Sequence, residues 1–151
     1  HYSPYLILLM ADKNIKTNLN FSGVIIERVD RKMLFQLRDN NPLISDPNKW
    51  WIFGGGIEPN EKPINAAIRE LREEINLKIN KKDLKLIFIK KLKNKKVYFF
   101  KLNLKKNMAK LKLKEGQDMK FMSRKELLNK KNISNLLKDF MNIYPSIPNN
   151  N

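Results

Sequence analysis

Glu70, Glu73 and Glu74 lie together in the run Arg69-Glu70-Leu71-Arg72-Glu73-Glu74. On a helix, positions three and four apart share a face, so these carboxylates would project from neighbouring turns toward a common region. An exposed like-charge pair costs only ~0.2–0.5 kcal/mol. The cost rises in an enclosed site unless a cation offsets it, and a divalent metal would do so. Carboxylate oxygens without His or Cys suit hard cations such as Mg²⁺ or Mn²⁺ better than zinc. The chain has no cysteine, and its one histidine is His1. That composition argues against thiolate chemistry, a His-based zinc site or a Ser-His-Asp triad. Upstream, the glycine turn Gly54-Gly55-Gly56 lets the backbone approach a ligand closely and could offer a carbonyl as one more hard oxygen. Mg²⁺ usually keeps several waters and completes its shell with a few carboxylates and substrate phosphates, so this donor set points to phosphate-ester or anhydride chemistry. The same acidic run also reads as a solvated helix face, and by itself it does not separate the two.

These groups need elements to hold them. Pro63 suits a first helical turn, and Ile64, Ala67, Ile68, Leu71 and Ile75 recur at helical spacing, predicting an amphipathic helix that carries the acids. Before it, Phe21 to Val29 and Met33 to Leu37 are β-rich runs around Asp30-Arg31-Lys32, a hairpin pattern. The turn formers Asp39-Asn40-Asn41-Pro42 and Ser45-Asp46-Pro47-Asn48 predict a surface loop that could border a site. Trp50 to Phe53 reads as a short aromatic strand running into the glycines.

After the helix, Leu84 to Ile89 and Val97 to Leu102 predict a second hairpin whose turn, Lys90 to Lys96, is crowned by lysines. Met119 to Met122 is a last short strand. Ser123-Arg124-Lys125-Glu126 has the spacing of a capping box, and a final helix is expected over Ile133 to Ile143, stopped by Pro145 and Pro148 before a frayed Asn-rich tail, 145–151. Tyr5 to Met10 reads as an edge strand. The expected architecture is a single domain over residues 1–151, α+β or α/β, with a mixed sheet between helices.

The formal net charge is +16. Lysine dominates it and is concentrated between Lys81 and Lys114, where Asp83 is the only acid. Such a surface attracts polyanions, including nucleotides and RNA, although the abundance of lysine and asparagine throughout the chain also reads as compositional bias. Tyr5 to Met10 is too short to span a bilayer and lacks the flanks of a signal peptide, so no membrane insertion is expected. A chain without cysteine fits a cytoplasmic setting.

The stretch GGGIEPNEKPINAAIRELREEINL resembles the box of the Nudix (MutT-like) hydrolases: Gly55, Glu61, Arg69, Glu70, Leu71, Glu73, Glu74 and Leu77 stand at the family's spacing, with Asn76 in place of its late glycine. Trp50-Trp51-Ile52-Phe53-Gly54-Gly55 is similar to the family's entry into that box, with Phe53 where proline is usual. The resemblance implies an α/β/α sandwich that hydrolyses a nucleoside diphosphate linked to another moiety, dependent on Mg²⁺ or Mn²⁺. Carried over by position, Glu73 and Glu74 are the main metal ligands, and Glu70 is a further ligand or the base that activates water. Gly54 would offer its carbonyl to the metal, while Glu61 and Arg69 would brace loop against helix by an ion pair. An acid from a later loop joins the site in some members. Glu115 and Asp118, in Lys114-Glu115-Gly116-Gln117-Asp118, are the candidates here.

For substrate contacts, Trp51 or Phe53 could stack a base, and both also fit a packing role. Adjacent strand residues face opposite ways, so Trp50 and Trp51 are not expected in the same layer. Arg38, at the end of the second strand, could meet a phosphate or simply be solvated. Tyr98, Phe99 and Phe100 read as core. Asn60 and Asn76 stand where the family commonly has glycine, which predicts a left-handed backbone at both. The expected function is a Mg²⁺-dependent pyrophosphohydrolase acting on a nucleoside triphosphate or nucleotide sugar. One alternative is an RNA 5′-pyrophosphohydrolase or decapping enzyme using the lysine-rich surface, and another is a catalytically weak Nudix-fold nucleotide-binding module. Whether the chain forms a homodimer is left open.

Overall fold

The computed structural model describes residues 19–108 and 110–144. The expected Tyr5–Met10 strand, His1 and the 145–151 tail lie outside the described residues. Strands β1 (Phe21–Glu27), β2 (Met33–Leu37), β3 (Trp50–Trp51) and β4 (Phe53–Gly56) precede helix α1 (Pro63–Ile75). Strands β5 (Leu84–Lys91), β6 (Lys96–Asn103) and β7 (Asp118–Met122) follow, then the helices α2 (Arg124–Leu128) and α3 (Asn135–Ile143).

The seven strands among the described residues form one sheet, in the order β3-β2-β1-β6-β5, with β4 also paired to β1 and β7 to β2. β1 and β6 run parallel, and the other described pairs are antiparallel. Both expected hairpins form, and the sheet is mixed because β6, the second strand of the second hairpin, pairs parallel with β1. One apolar cluster joins Val24, Ile26, Leu34 and Phe53 of the sheet to Ala67, Leu71 and Ile75 of α1. A second joins Ile25, Phe35 and Phe99 to Leu127, Ile133, Leu137 and Phe140. Helices thus cover both faces, giving an α/β/α sandwich.

The alternation of β2 sets up the site. Phe35 belongs to the cluster under α2 and α3, whereas Leu34 belongs to the cluster under α1 and the side chain of Gln36 reaches Glu74 on that helix. The expected opposition of Trp50 and Trp51 does not occur. Trp50, Trp51 and Ile52 all join the cluster under α2 and α3, because the chain leaves β2 after Trp51 and pairs with β1 from Phe53 onward, which interrupts the pleat. The capping box at Ser123 and Glu126 forms and opens α2. α3 begins at Asn135 rather than Ile133, since Ile133 is drawn into a bridge with Trp50.

Candidate metal centre

α1 starts where Ser22 of β1 donates its hydroxyl to the Pro63 carbonyl at 2.7 Å, fixing the helix against the sheet. It ends at Asn76, whose φ of 57° lets its N–H reach the Arg72 carbonyl while the Leu77 N–H reaches that of Leu71. These bonds close the helix end around a left-handed residue, with Leu71 and Leu77 buried together. Asn60 has φ of 66°, so both asparagines keep the left-handed backbone expected of them.

Between these ends, Glu70 and Glu74 are 1% and 3% exposed. They face the glycine strand β4. The Gly54 N–H donates to Glu74 Oε1 at 2.8 Å. Gly54 has φ of 152°, and a Cβ there would run into the Ser22 carbonyl. A Cβ on Gly55 would run into the Glu70 carboxylate. The glycines therefore let the strand lie directly on the acids.

Arg69 braces the arrangement. Its guanidinium binds Glu61 through two hydrogen bonds of 2.9 Å, the Gly56 carbonyl at 3.0 Å, Glu70 at 2.8 Å and Glu73 at 3.4 Å. Glu61 also accepts from the Glu58 N–H at 3.0 Å, so the loop before α1 is held at both ends. Burial works against the Glu61 charge, but the Arg69 hydrogen bond and the Glu58 N–H outweigh it and hold the carboxyl below its ordinary range. Burial likewise opposes the Arg69 charge, and Glu61 and Glu70 more than restore it.

The third acid arrives from the segment before β7. The Lys112 and Lys114 N–H groups donate to the carbonyls of Ile75 and Glu74 at 3.0 and 2.8 Å, and the Gln117 N–H donates to the Leu37 carbonyl at 2.8 Å. This places a Glu115 carboxylate oxygen within 4.8 Å of ligand atoms of both Glu70 and Glu74. Burial pushes the Glu70 carboxyl up to about 7, with Arg69 pulling against it and the Glu73 and Glu115 charges adding to it. The Glu74 carboxyl is also pushed well above its ordinary range, by burial first and then by Glu70 and Glu115, against the Gly54 hydrogen bond and the charge of Arg38. Two buried carboxyls driven toward neutrality, with a third beside them, fit a hard divalent cation, whose charge would offset all three.

The remaining expected residues divide clearly. Glu73 is not among the three convergent acids; its side chain is 28% exposed and held by Arg69. Arg38 donates from Nε to the Ser45 carbonyl at 2.8 Å, and its charge acts on Glu74. Asp118 is not brought to the acids. It opens β7 on the exposed side, where its carboxylate accepts from the Met119 N–H. Phe53 is fully buried among α1 residues, and Trp51 is 6% exposed against Phe21 and Phe99, so both pack the core and neither offers a face to a base. Gln36 is the residue that sequence reasoning missed. Buried on β2, its amide donates to Glu74 Oε2 at 3.3 Å and to the Glu115 carbonyl at 2.9 Å. Its only trace in the sequence is its place, two residues after Leu34, on the strand face that meets α1.

The NUDIX domain family model matches residues 17–142. No individual curated protein matches the chain by sequence. Among solved structures, the MutT protein from Methanosarcina mazei Go1 superposes with a TM-score of 0.66 at 21% identity, over 85% of this chain and 93% of that one. The MutT NUDIX hydrolase from Burkholderia pseudomallei gives a TM-score of 0.67 at 14% identity, over 82% and 95%. A C. elegans Ap4A hydrolase gives 0.61 at 22% identity, over 84% and 96%. The family match spans most of the chain, these likenesses share its fold, and the chain belongs to the Nudix family of hydrolases, which act on nucleoside diphosphate derivatives.

Proposed function

We propose that this chain is a Mg²⁺- or Mn²⁺-dependent pyrophosphohydrolase of small nucleotides, cleaving the phosphoric anhydride of a nucleoside triphosphate or nucleotide sugar. The observation that carries this reading is the convergence of Glu70, Glu74 and Glu115, two of them buried, with ligand atoms within 4.8 Å of one another. Glu74 and Glu70 would hold a divalent ion with Glu115, and Glu73 and the Gly54 carbonyl are further oxygens for the same purpose. The bound ion would offset charge on the diphosphate and position the attacking water. Arg69 holds Glu70 and Glu73 at fixed separations from Glu61, so the acids are arranged before substrate arrives. A carboxylate at the centre takes the water's proton, with Glu70 and Glu115 the candidates. Arg38, close enough to act on Glu74, suits a phosphate outside the metal's reach.

The deciding experiment incubates the protein with Mg²⁺ or Mn²⁺ and nucleoside triphosphates, nucleotide sugars, dinucleoside polyphosphates, 5′-triphosphorylated RNA and capped RNA, and identifies the products. Turnover of the small nucleotides is expected. Turnover confined to RNA would replace this substrate class with the decapping one, and tight nucleotide binding without turnover would make the chain a binding module. Among the described residues no helix is long and apolar enough to cross a membrane. A chain without cysteine would serve such an enzyme in a cytoplasmic setting.

A further inference from the structure

We propose that Gln36 is a positioning residue that delivers Glu115 to the metal centre while leaving the centre's negative charge intact. The inference rests on the metal-centre reading above. Gln36 lies on β2, 3% exposed, and its side chain is the covalent path by which one amide group touches both α1 and the segment before β7. Its two acceptors are a carboxylate oxygen of Glu74 and the backbone carbonyl of Glu115. Neither can donate when the carboxylate is ionised, so the amide must turn its NH₂ toward them, and both hydrogens are then committed.

The approach of the segment is built around this amide. Gly116 has φ of +96°, and a Cβ there would lie 2.9 Å from Gln36 Cγ, from Gln36 Nε2 and from the Leu37 carbonyl. Residue 116 therefore has no side chain where the backbone crosses Gln36, and the adjoining Gln117 N–H closes onto the same Leu37 carbonyl at 2.8 Å. With the Glu115 carbonyl fixed on one side and Lys114 bonded to the end of α1 on the other, the Glu115 carboxylate has a narrow range of positions, which includes the one beside Glu70 and Glu74.

The residue type follows from electrostatics. A lysine at position 36 would reach the same oxygens but place a fixed cation where the metal belongs. A glutamate would add a further buried negative charge with no hydrogen to give. Glutamine donates twice and adds no charge, so it orders the acids without competing for them.

The test measures Mn²⁺ binding to the substrate-free protein, by the loss of the free-ion electron paramagnetic resonance signal, below the thermal transition of every variant. Wild type, Gln36→Met, Gln36→Asn, Glu115→Gln and the double variant Gln36→Met/Glu115→Gln are compared. Met removes both donors at nearly the same length, and Asn keeps the amide but is too short to span both acceptors. We expect each Gln36 variant to weaken Mn²⁺ binding by ~10–100-fold, the range for residues that orient metal ligands. The double variant should bind no more weakly than the weaker of its parents, because Gln36 acts through Glu115. In turnover, kcat should fall with KM nearly unchanged. A general loss of stability would lower the melting temperature and leave the dissociation constant of the folded protein alone. Wild-type affinity in both Gln36 variants, or additive losses in the double variant, would overturn the proposal. Failure of wild type to bind Mn²⁺ at all would instead sink the metal-centre reading on which it stands.

Discussion

On α1, Glu70 and Glu74 keep 1% and 3% of their surface exposed within reach of one another, whereas on the β5–β6 hairpin Lys90, Lys91, Lys93 and Lys96 all stand in solvent. Both regions crowd like charges. The hairpin does so cheaply, because exposed charges are screened by water and salt and repel by tenths of a kcal/mol. The buried acids lack that screening, and their raised pKa values record the penalty. Where the fold does bury a lysine, Lys101, it sets Glu27 beside it at 3.5 Å. Glu70 has Arg69, but among the described residues Glu74 has only neutral donors, from Gly54 and Gln36, in hydrogen-bonding contact. The difference teaches that burial without a charged partner in contact, and not density of charge, sets the candidate metal centre apart.

The sharpest way to break this comparison is to remove one buried acid. Glu74→Gln should lower kcat by a factor on the order of 10²–10⁴, as expected for a group acting in the transition state. Retention of the thermal transition would show that the fold survives, and full turnover would end the assignment of α1 as the metal-bearing element. Removing the cation that braces the acids comes next. Arg69→Ala leaves Glu61 and Glu70 without their partner and should destabilise the fold by about 3 kcal/mol, the lower end for a broken buried pair because Arg69 is 21% exposed. Denaturant unfolding measures it, and a change below about 1 kcal/mol would show that the network is ornamental.

A third measurement uses pH. Because the folded Glu70 carboxyl titrates at about 7 rather than at 4.5, the folded state holds a proton through that window which the unfolded chain has released. Stability of the metal-free protein should therefore fall as pH rises from about 4.5 to about 7, and Glu74, shifted in the same direction, deepens the fall. Unfolding with EDTA and with Mn²⁺ from pH 5 to pH 8, values chosen to bracket that window, should give curves that diverge as pH rises. Parallel curves would argue against a metal among these acids. The smallest effect is expected on the hairpin. Changing Lys90, Lys91, Lys93 and Lys96 together to Gln should move stability by no more than ~0.5 kcal/mol per site and kcat/KM for a small nucleotide by less than about tenfold, mostly at low salt. A larger loss on RNA than on nucleotides would make that surface a substrate contact.

Much of this protein was legible in its sequence because local rules govern it. The periodicity of Ile64, Ala67, Leu71 and Ile75 specifies the helix and its buried stripe. Asn60 and Asn76 stand where the resembled family has glycine, and asparagine tolerates the left-handed backbone that both adopt. The resemblance of this stretch to the Nudix box implied the Glu61–Arg69 ion pair, which forms across a loop and two turns of helix. Residues whose meaning depends on distant neighbours were less legible. Trp51 and Phe53 carry aromatic rings suited to either a base or a core, and only the switch of the chain from β2 to β1 sends both inward. Glu115 and Asp118 are equivalent by composition and position in sequence. The contacts of Lys114, Gly116 and Gln117 with α1 and β2 bring the first to the acids and leave the second at an exposed strand end. Gln36 had no motif at all, because hydrogen bonds linking residues 36, 74 and 115 leave no mark in local spacing. The sequence by itself determined the acid-bearing helix, set by short-range periodicity, and its resemblance to the Nudix box pointed to the brace and to the left-handed helix end. The tertiary structure alone decided which acids converge and what holds them, because charges at long separations in the chain meet only when the sheet brings their elements together.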